Sequence, residues 1–387
     1  DAETNPSVTT FADGGFVVAW QDQNSGVMAW TDARVFNADG SAATAEFRLS
    51  PGVDGNNEGY QPSVLALNAT EFVAVWANEI GGTTYEIAGQ IYDRTGTAVG
   101  AQFSVGSLLG SGAVFGAQVE TSLLNDGGFA VVWRTNNGSL GTVARVMNSN
   151  GTARSAEIAL AGDNVADVSS LSNGRFVVTY DNAGVLNAAI YDANGVNTVA
   201  PFAVNTTASS SRFDSTVTRS DDGFVVAWQS SAGDGDNSAI LAQRFDSSGN
   251  KIDGEVVVNQ TTAGNQVKPE IVETASGKII VVWESDNVDA ALTGTASRVI
   301  ATGDATVDEN SPNGARVADA IGVFDTDSPS THTFTLTNNS GGRFAINAAP
   351  PAPTESDSRP APNANRRPAP VPMLQILPPP VPWQFWP

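Results

Sequence analysis

The chain of 387 residues contains no cysteine and a single histidine, His332. A disulfide framework, a thiolate zinc site and a cysteine nucleophile are therefore excluded, as is any histidine-rich metal centre. A Ser-His-Asp hydrolase would have to borrow His332, which stands outside the repeats described below. Basic residues are scarce too: 19 Lys and Arg against 41 Asp and Glu give a formal net charge of −22. Nucleic-acid binding needs basic stripes that neutralise phosphates, and the chain has none. No run approaches the ~18 apolar residues that span a bilayer. No Gly-rich phosphate loop follows a strand and opens a helix, so nucleotide binding has no motif to rest on. Helical periodicity over ten or more residues is also missing.

What is present is repetition. Phe16-Val17-Val18-Ala19-Trp20 returns as Phe72 to Trp76, Phe129 to Trp133, Phe176 to Tyr180, Phe224 to Trp228 and Ile279 to Trp283, at spacings between 47 and 57 residues. A period near fifty marks one supersecondary unit copied in tandem. The fifth copy shows its parts: Asp214 to Thr218, Phe224 to Gln229, Ala239 to Phe245 and Glu255 to Asn259. Turn residues separate these runs. Short β-branched and aromatic runs bounded by Gly, Asn and Asp predict an antiparallel meander of four strands.

The second run is apolar on both faces, which requires a sheet sandwiched between neighbours. The expected fold is all-β: a β-propeller of about six four-stranded blades over residues 1–303, with a linear solenoid as the alternative. The sixth copy is incomplete, because no fourth run follows Arg298 to Gly303. A strand from the other terminus usually completes such a ring, and Asp1 looks like the start of a mature or excised fragment. A larger ring stays open as a possibility at this point.

Candidate sites are few. Asp234-Gly235-Asp236-Asn237-Ser238 alternates short oxygen-bearing side chains, a spacing suited to Ca²⁺, and Asp234 and Asp236 are its candidate ligands. Asp286, Asn287 and Asp289 offer a poorer version in copy six, and Asp22 and Asn24 poorer still in copy one. The turns ending in Gly40, Gly96, Gly151, Gly195 and Gly249 are explained by Asx capping and a left-handed glycine. The repeated tryptophans are expected to pack between blades, whereas Trp30 lies outside that slot and is the candidate ligand contact. The sialidase box Ser-x-Asp-x-Gly-x-Thr-Trp is not met by Ala12-Asp13-Gly14-Gly15-Phe16. Paired carboxylates for glycoside hydrolysis remain open, since such partners meet only in space.

After Gly303 the pattern changes. The Glu309-Asn310 pair, Asp325-Thr326-Asp327 and Gly342-Arg343-Phe344-Ala345-Ile346-Asn347 resemble the first half of a cadherin-like β-sandwich domain, truncated to residues 304–348. That resemblance implies Ca²⁺ ligands at Glu309, Asp325 and Asp327. The repeats, in Asp222-Gly223 to Trp228, Asp234 to Asn237 and Gln243-Arg244-Phe245-Asp246, resemble those of large secreted bacterial RTX/cadherin-type surface proteins. From this follow a secreted or cell-surface location and adhesion to extracellular glycans or surface proteins. The alternative is a carbohydrate-active enzyme, a glycoside hydrolase or polysaccharide lyase, with its site at the propeller channel.

Residues 349–387 hold thirteen of the twenty prolines. They are expected to form an extended disordered tail, either a natural linker or a foreign junction.

Overall fold

The computed structural model describes residues 2–24, 28–50, 59–80, 85–108, 118–137, 140–162, 164–206, 214–231, 233–259, 262, 264–274, 277–286, 293–300, 344–347 and 373–376. All of the described regular structure is β, and the first 23 strands fall into six consecutive sheets. The first sheet is β1 (Ala2–Thr10), β2 (Phe16–Asn24), β3 (Met28–Phe36) and β4 (Phe47–Arg48). The second is β5 (Gly59–Ala66), β6 (Glu71–Glu79), β7 (Tyr85–Asp93) and β8 (Ala98–Leu108). The third is β9 (Val119–Leu123), β10 (Phe129–Asn137), β11 (Leu140–Met147) and β12 (Ile158–Leu160).

The fourth is β13 (Asn164–Ser170), β14 (Phe176–Asn182), β15 (Val185–Tyr191) and β16 (Asn197–Ala203). The fifth is β17 (Ser215–Ser220), β18 (Gly223–Ser230), β19 (Ala239–Asp246) and β20 (Lys251–Val257). The sixth has three described strands, β21 (Asn265–Glu273), β22 (Ile279–Asp286) and β23 (Thr293–Ile300). Each sheet is a simple meander in chain order. The pairs whose register is described are all antiparallel.

Within the compact unit Asp1–Ala296, the first strand of each sheet packs on the first strand of the next, from β1 through β5, β9, β13 and β17 to β21. The two-faced second strands explain this stacking. Phe72, Ala74 and Trp76 form one fully buried face of β6, and Val73 and Val75 the other. The first face joins the core of sheet one, with Val17, Ala19 and Ala33. The second joins the core of sheet three, with Phe129, Val131 and Trp133. Three of the recurring tryptophans, Trp76, Trp133 and Trp228, are at most 1% exposed, as the packing role requires.

The outer strands follow a second rule. Phe47, Phe103, Ile158 and Phe202, each on a fourth strand, press on Gly96, Gly151, Gly195 and Gly249, the turn glycines of the following sheet. Gly96 has φ +80, and a Cβ there would come 2.8 Å from Phe47. Gly40 has the same conformation, φ +82, with open space around it. The five turns are Asx-capped as expected: Asp93, Asp192 and Asp246, for example, each accept a hydrogen bond from the N–H two residues on.

The second compact unit, Ser297–Pro387, is described at the end of β23, Ser297–Ile300, and at β24 (Phe344–Asn347) and β25 (Met373–Ile376), which pair antiparallel. β25 lies inside the proline-rich stretch, in the proline-free run between Pro372 and Pro378, where every residue keeps its N–H. It pairs the strand assigned from sequence to a cadherin-like segment with the tail assigned to disorder. Nothing else of a β-sandwich is present among the described residues.

Candidate functional site

The register of the first two strands in each sheet identifies one equivalent position per copy. Opposite the fourth residue of the recurring motif stand Ser7, Ser63, Glu120, Asp167, Thr216 and Glu270. Three hydroxyls and three carboxylates thus occupy one level of the six inner strands. A cavity of about 380 Å³ opens there, lined by Asn5 to Val8 of β1, Gln61 and Pro62 of β5, Gln118 to Glu120 at β9, and Glu270 of β21. Strands from the first and the last sheet share its wall.

The backbone at the cavity wall is unusual. Asn5, Gln61 and Lys268 have φ of 51°, 50° and 52°, each just before a proline and within a bulge of its strand. Gln118, one residue before β9, has φ 34°. Left-handed non-glycine residues of this kind cost ~1–3 kcal/mol each and persist only where the surroundings hold them. Here side-chain amides do so. Gln21 Oε1 accepts from Asn5 Nδ2 at 3.1 Å and from the Gln61 N–H at 3.2 Å, and Gln61 Oε1 accepts from the Gln118 N–H at 2.7 Å. The bulges re-aim the strand starts toward the cavity.

The three carboxylates differ in their surroundings. Asp167 is fixed: its Oδ2 accepts from the Val217 N–H and its Oδ1 from the Val168 N–H, both at 2.7 Å. Burial nevertheless raises its pKa to about 6, against the pull of those donors and of the Thr216 hydroxyl. Glu270 is raised to about 7, by burial first and then by the charges of Asp167 and Asp214. Glu120 is held well above the ordinary carboxylate range, by burial first, then by Asp167 and Glu270. Glu120 and Glu270 are nonetheless exposed to solvent, so the burial that raises them is crowding by protein around an open cavity and not cover over the side chains. The residues opposite on the second strands, Val132, Thr179 and Val282, bring no compensating cation.

The residues singled out from sequence lie elsewhere. Asp234 Oδ2 accepts from Asn259 Nδ2 at 2.6 Å and its Oδ1 from the Asp236 N–H at 3.2 Å. Asp236 Oδ2 accepts from the Gly264 N–H at 3.3 Å. N–H donors from Asn259, Asp236 and Gly264 therefore face the carboxylates of this loop. Among the described residues no three His, Cys, Asp or Glu side chains converge as a metal site would require. Glu309, Asp325 and Asp327 lie outside the described residues. Trp30 is half-buried, and the Arg48 guanidinium sits 4.3 Å from its ring centre, taking one face that a sugar would need.

Sequence reasoning missed the carboxylate level altogether. Its signal was present: the six residues precede the first residue of the motif by nine positions, or by eight in the fifth copy, whose Ser220–Gly223 turn is tighter.

No family model matches the chain, and no curated protein matches it in sequence. Solved structures do match. The NanB sialidase of Streptococcus pneumoniae aligns over 74% of this chain and 66% of its own at 8% identity, with a TM-score of 0.51. An α-L-arabinofuranosidase of Fusarium graminearum covers 77% and 92% at 9% identity, with a TM-score of 0.48. A protein of unknown function from Dyadobacter fermentans covers 77% and 94% at 13% identity, also at 0.48. The chain has an all-β, propeller-like fold with five four-stranded sheets and a further three-stranded one. The sialidase that matches in fold is not an RTX- or cadherin-type surface protein, and the resemblance drawn from the repeat and the 304–348 segment is corrected accordingly. Motifs such as Asp-Gly-Gly-Phe-Val-Val-x-Trp report what a blade needs to pack, and a fold does not by itself carry a function.

Proposed function

We propose that the chain is a carbohydrate-active protein, a six-bladed propeller that hydrolyses a glycosidic bond at the cavity among its inner strands. The observation that carries this reading is the pair Glu120 and Glu270 at the wall of one cavity, with Asp167 on the same strand level and near enough for its charge to act on both. Glycoside hydrolysis needs one carboxylic acid to protonate the leaving oxygen and one carboxylate to attack or to activate water. A general acid works best when its pKa lies near the working pH. Glu270, at about 7, suits the acid, and the rigidly held Asp167, at about 6, suits the carboxylate. The hydroxyl of Ser7 and the amides of Asn5, Gln61 and Gln118 at the cavity wall supply the neutral hydrogen-bonding groups a sugar uses. An extracellular glycan as partner brings a secreted or surface location with it.

The test is a polysaccharide screen followed by variants. Glu270→Gln and Asp167→Asn should each lower turnover by about 10²–10⁴-fold while the protein stays folded. Tight glycan binding without turnover would reduce the proposal to a binding module, and neither binding nor turnover by folded protein would overturn it. Ca²⁺ at Asp234 and Asp236 is kept as a narrower proposal, because an ion there has to displace the Asn259 donor.

A further inference from the structure

The ring of sheets is not equally tight all round. Phe16, Val18 and Trp20 of the first sheet are half-buried, whereas their equivalents Phe72, Ala74 and Trp76, and Phe129, Val131 and Trp133, are fully enclosed. On the sixth sheet Ile280 and Val282 are half-buried. Val8 on β1 is 63% exposed and Val272 on β21 is 54% exposed. Gly40 meets no side chain from a preceding sheet, although the corresponding glycines of sheets two to five all do. The side of the ring where β1 and β21 border the cavity is therefore its least packed interface among the described residues.

Elsewhere neighbouring inner strands are latched. The Val64 N–H donates to Ser7 Oγ at 3.0 Å, the Ala66 N–H to Thr9 Oγ1 at 3.2 Å and the Ser170 N–H to Ser122 Oγ at 2.9 Å. The Val217 N–H donates to Asp167, and the Glu273 N–H to Thr218 Oγ1 at 3.3 Å. These bonds tie sheet one to two, three to four, four to five and five to six, and the Ser63–Thr121 hydroxyl pair at 2.9 Å ties two to three. No such bond joins sheet six to sheet one among the described residues.

We propose that the carboxylates Glu120, Asp167 and Glu270 form a proton-operated clasp: protonated, they let the inner strands close on the cavity, and ionised, their repulsion loosens the ring where β21 meets β1. Glu120 on β9 and Glu270 on β21 line the cavity, and Asp167 holds the same level on β13, where its charge reaches both. The other groups facing it leave that repulsion uncompensated. β1 brings Ser7 and Asn5, β5 brings Ser63 and Gln61, and β17 brings Thr216, all uncharged. The second strands behind bring Val132, Thr179 and Val282. Asp214, before β17, adds negative charge; Lys268 offsets it but is itself paired with Glu284 at 3.2 Å. The weakest interface is also the one next to Glu270.

The direction of the pH effect follows from linkage. All three groups have raised pKa values in the folded state, so they stabilise the closed ring most at acid pH, below their unfolded values near 4. That stability drains as the pH rises through about 6 and 7. The clasp is a property of the ring and does not depend on whether the cavity turns over a glycan.

Hydrogen exchange of the whole chain between pH 5 and pH 8, corrected for intrinsic rates, tests it. Amides of β1 and β21 should open about tenfold more often at pH 8, one pK unit being tenfold in an equilibrium constant, while those of β6, β10 and β14 stay unchanged. Glu120→Gln with Glu270→Gln should abolish the difference, and Asp39→Asn on an exposed turn should leave it intact. Uniform opening across all sheets, or a difference that survives the double variant, would overturn the clasp. If the variant fails to fold, carboxyl titration of the parent by NMR decides: glutamate signals titrating above pH 6 are expected, and ordinary values near 4 for all of them would sink it.

Discussion

The second and the first strands of this molecule have been treated differently by the same repetition. Second strands keep Phe-Val-Val-x-Trp almost unchanged, and their side chains in the interior sheets are enclosed on both faces. First strands keep an apolar residue at alternate positions, yet one position varies from serine through threonine to aspartate and glutamate. Close packing explains the first behaviour, because a core at crystal-like density tolerates few changes of volume. Exposure to a shared cavity permits the second. In a tandem repeat, departure from the pattern at a fixed level marks where chemistry can be placed.

Substitution on the two strand types should separate these roles sharply. Trp133→Ala empties a wholly buried slot between sheets and should cost about 3–5 kcal/mol. Glu120→Gln, one rung away on the neighbouring strand, removes a destabilised charge and should leave stability equal or higher near pH 8. Urea unfolding of both variants checks the contrast, and a Trp133→Ala cost under 1 kcal/mol would break it.

A finer version compares two glycines with one conformation. Gly40→Ala meets only backbone strain, about 1–2 kcal/mol, since nothing packs there. Gly96→Ala meets the same strain and also the Phe47 ring, which adds about 1–3 kcal/mol of overpacking. The difference between their thermal midpoints measures the contact between outer strand and next sheet. Equal losses would mean that Phe47 yields freely.

The smallest effect is expected at the Asp234 loop. Ca²⁺ at a concentration equal to a millimolar Kd adds about 0.4 kcal/mol, and the Asn259 donor competes with it. Melting curves in Ca²⁺ and in Mg²⁺ at matched ionic strength, for the parent and for Asp234→Ala/Asp236→Ala, resolve it. A response shared by both cations, or kept by the double variant, leaves only charge screening of the acidic surface.

The sequence by itself determined the unit and its repetition. The period, the two-faced second strand and the turn glycines are local properties, and each folds as its own residues dictate. The packing of Trp76, Trp133 and Trp228 was legible for the same reason. Local likeness also misled, because motifs that serve blade packing suggested a family to which the chain's known structural matches do not belong. What only the tertiary structure decided is the meeting of Glu120, Asp167 and Glu270. They stand 47 and 103 residues apart along the chain, yet strand register places them on one level, and Glu120 and Glu270 line one cavity together with β1. Their raised pKa values likewise belong to no residue alone, since burial and mutual repulsion arise only once the sheets are assembled.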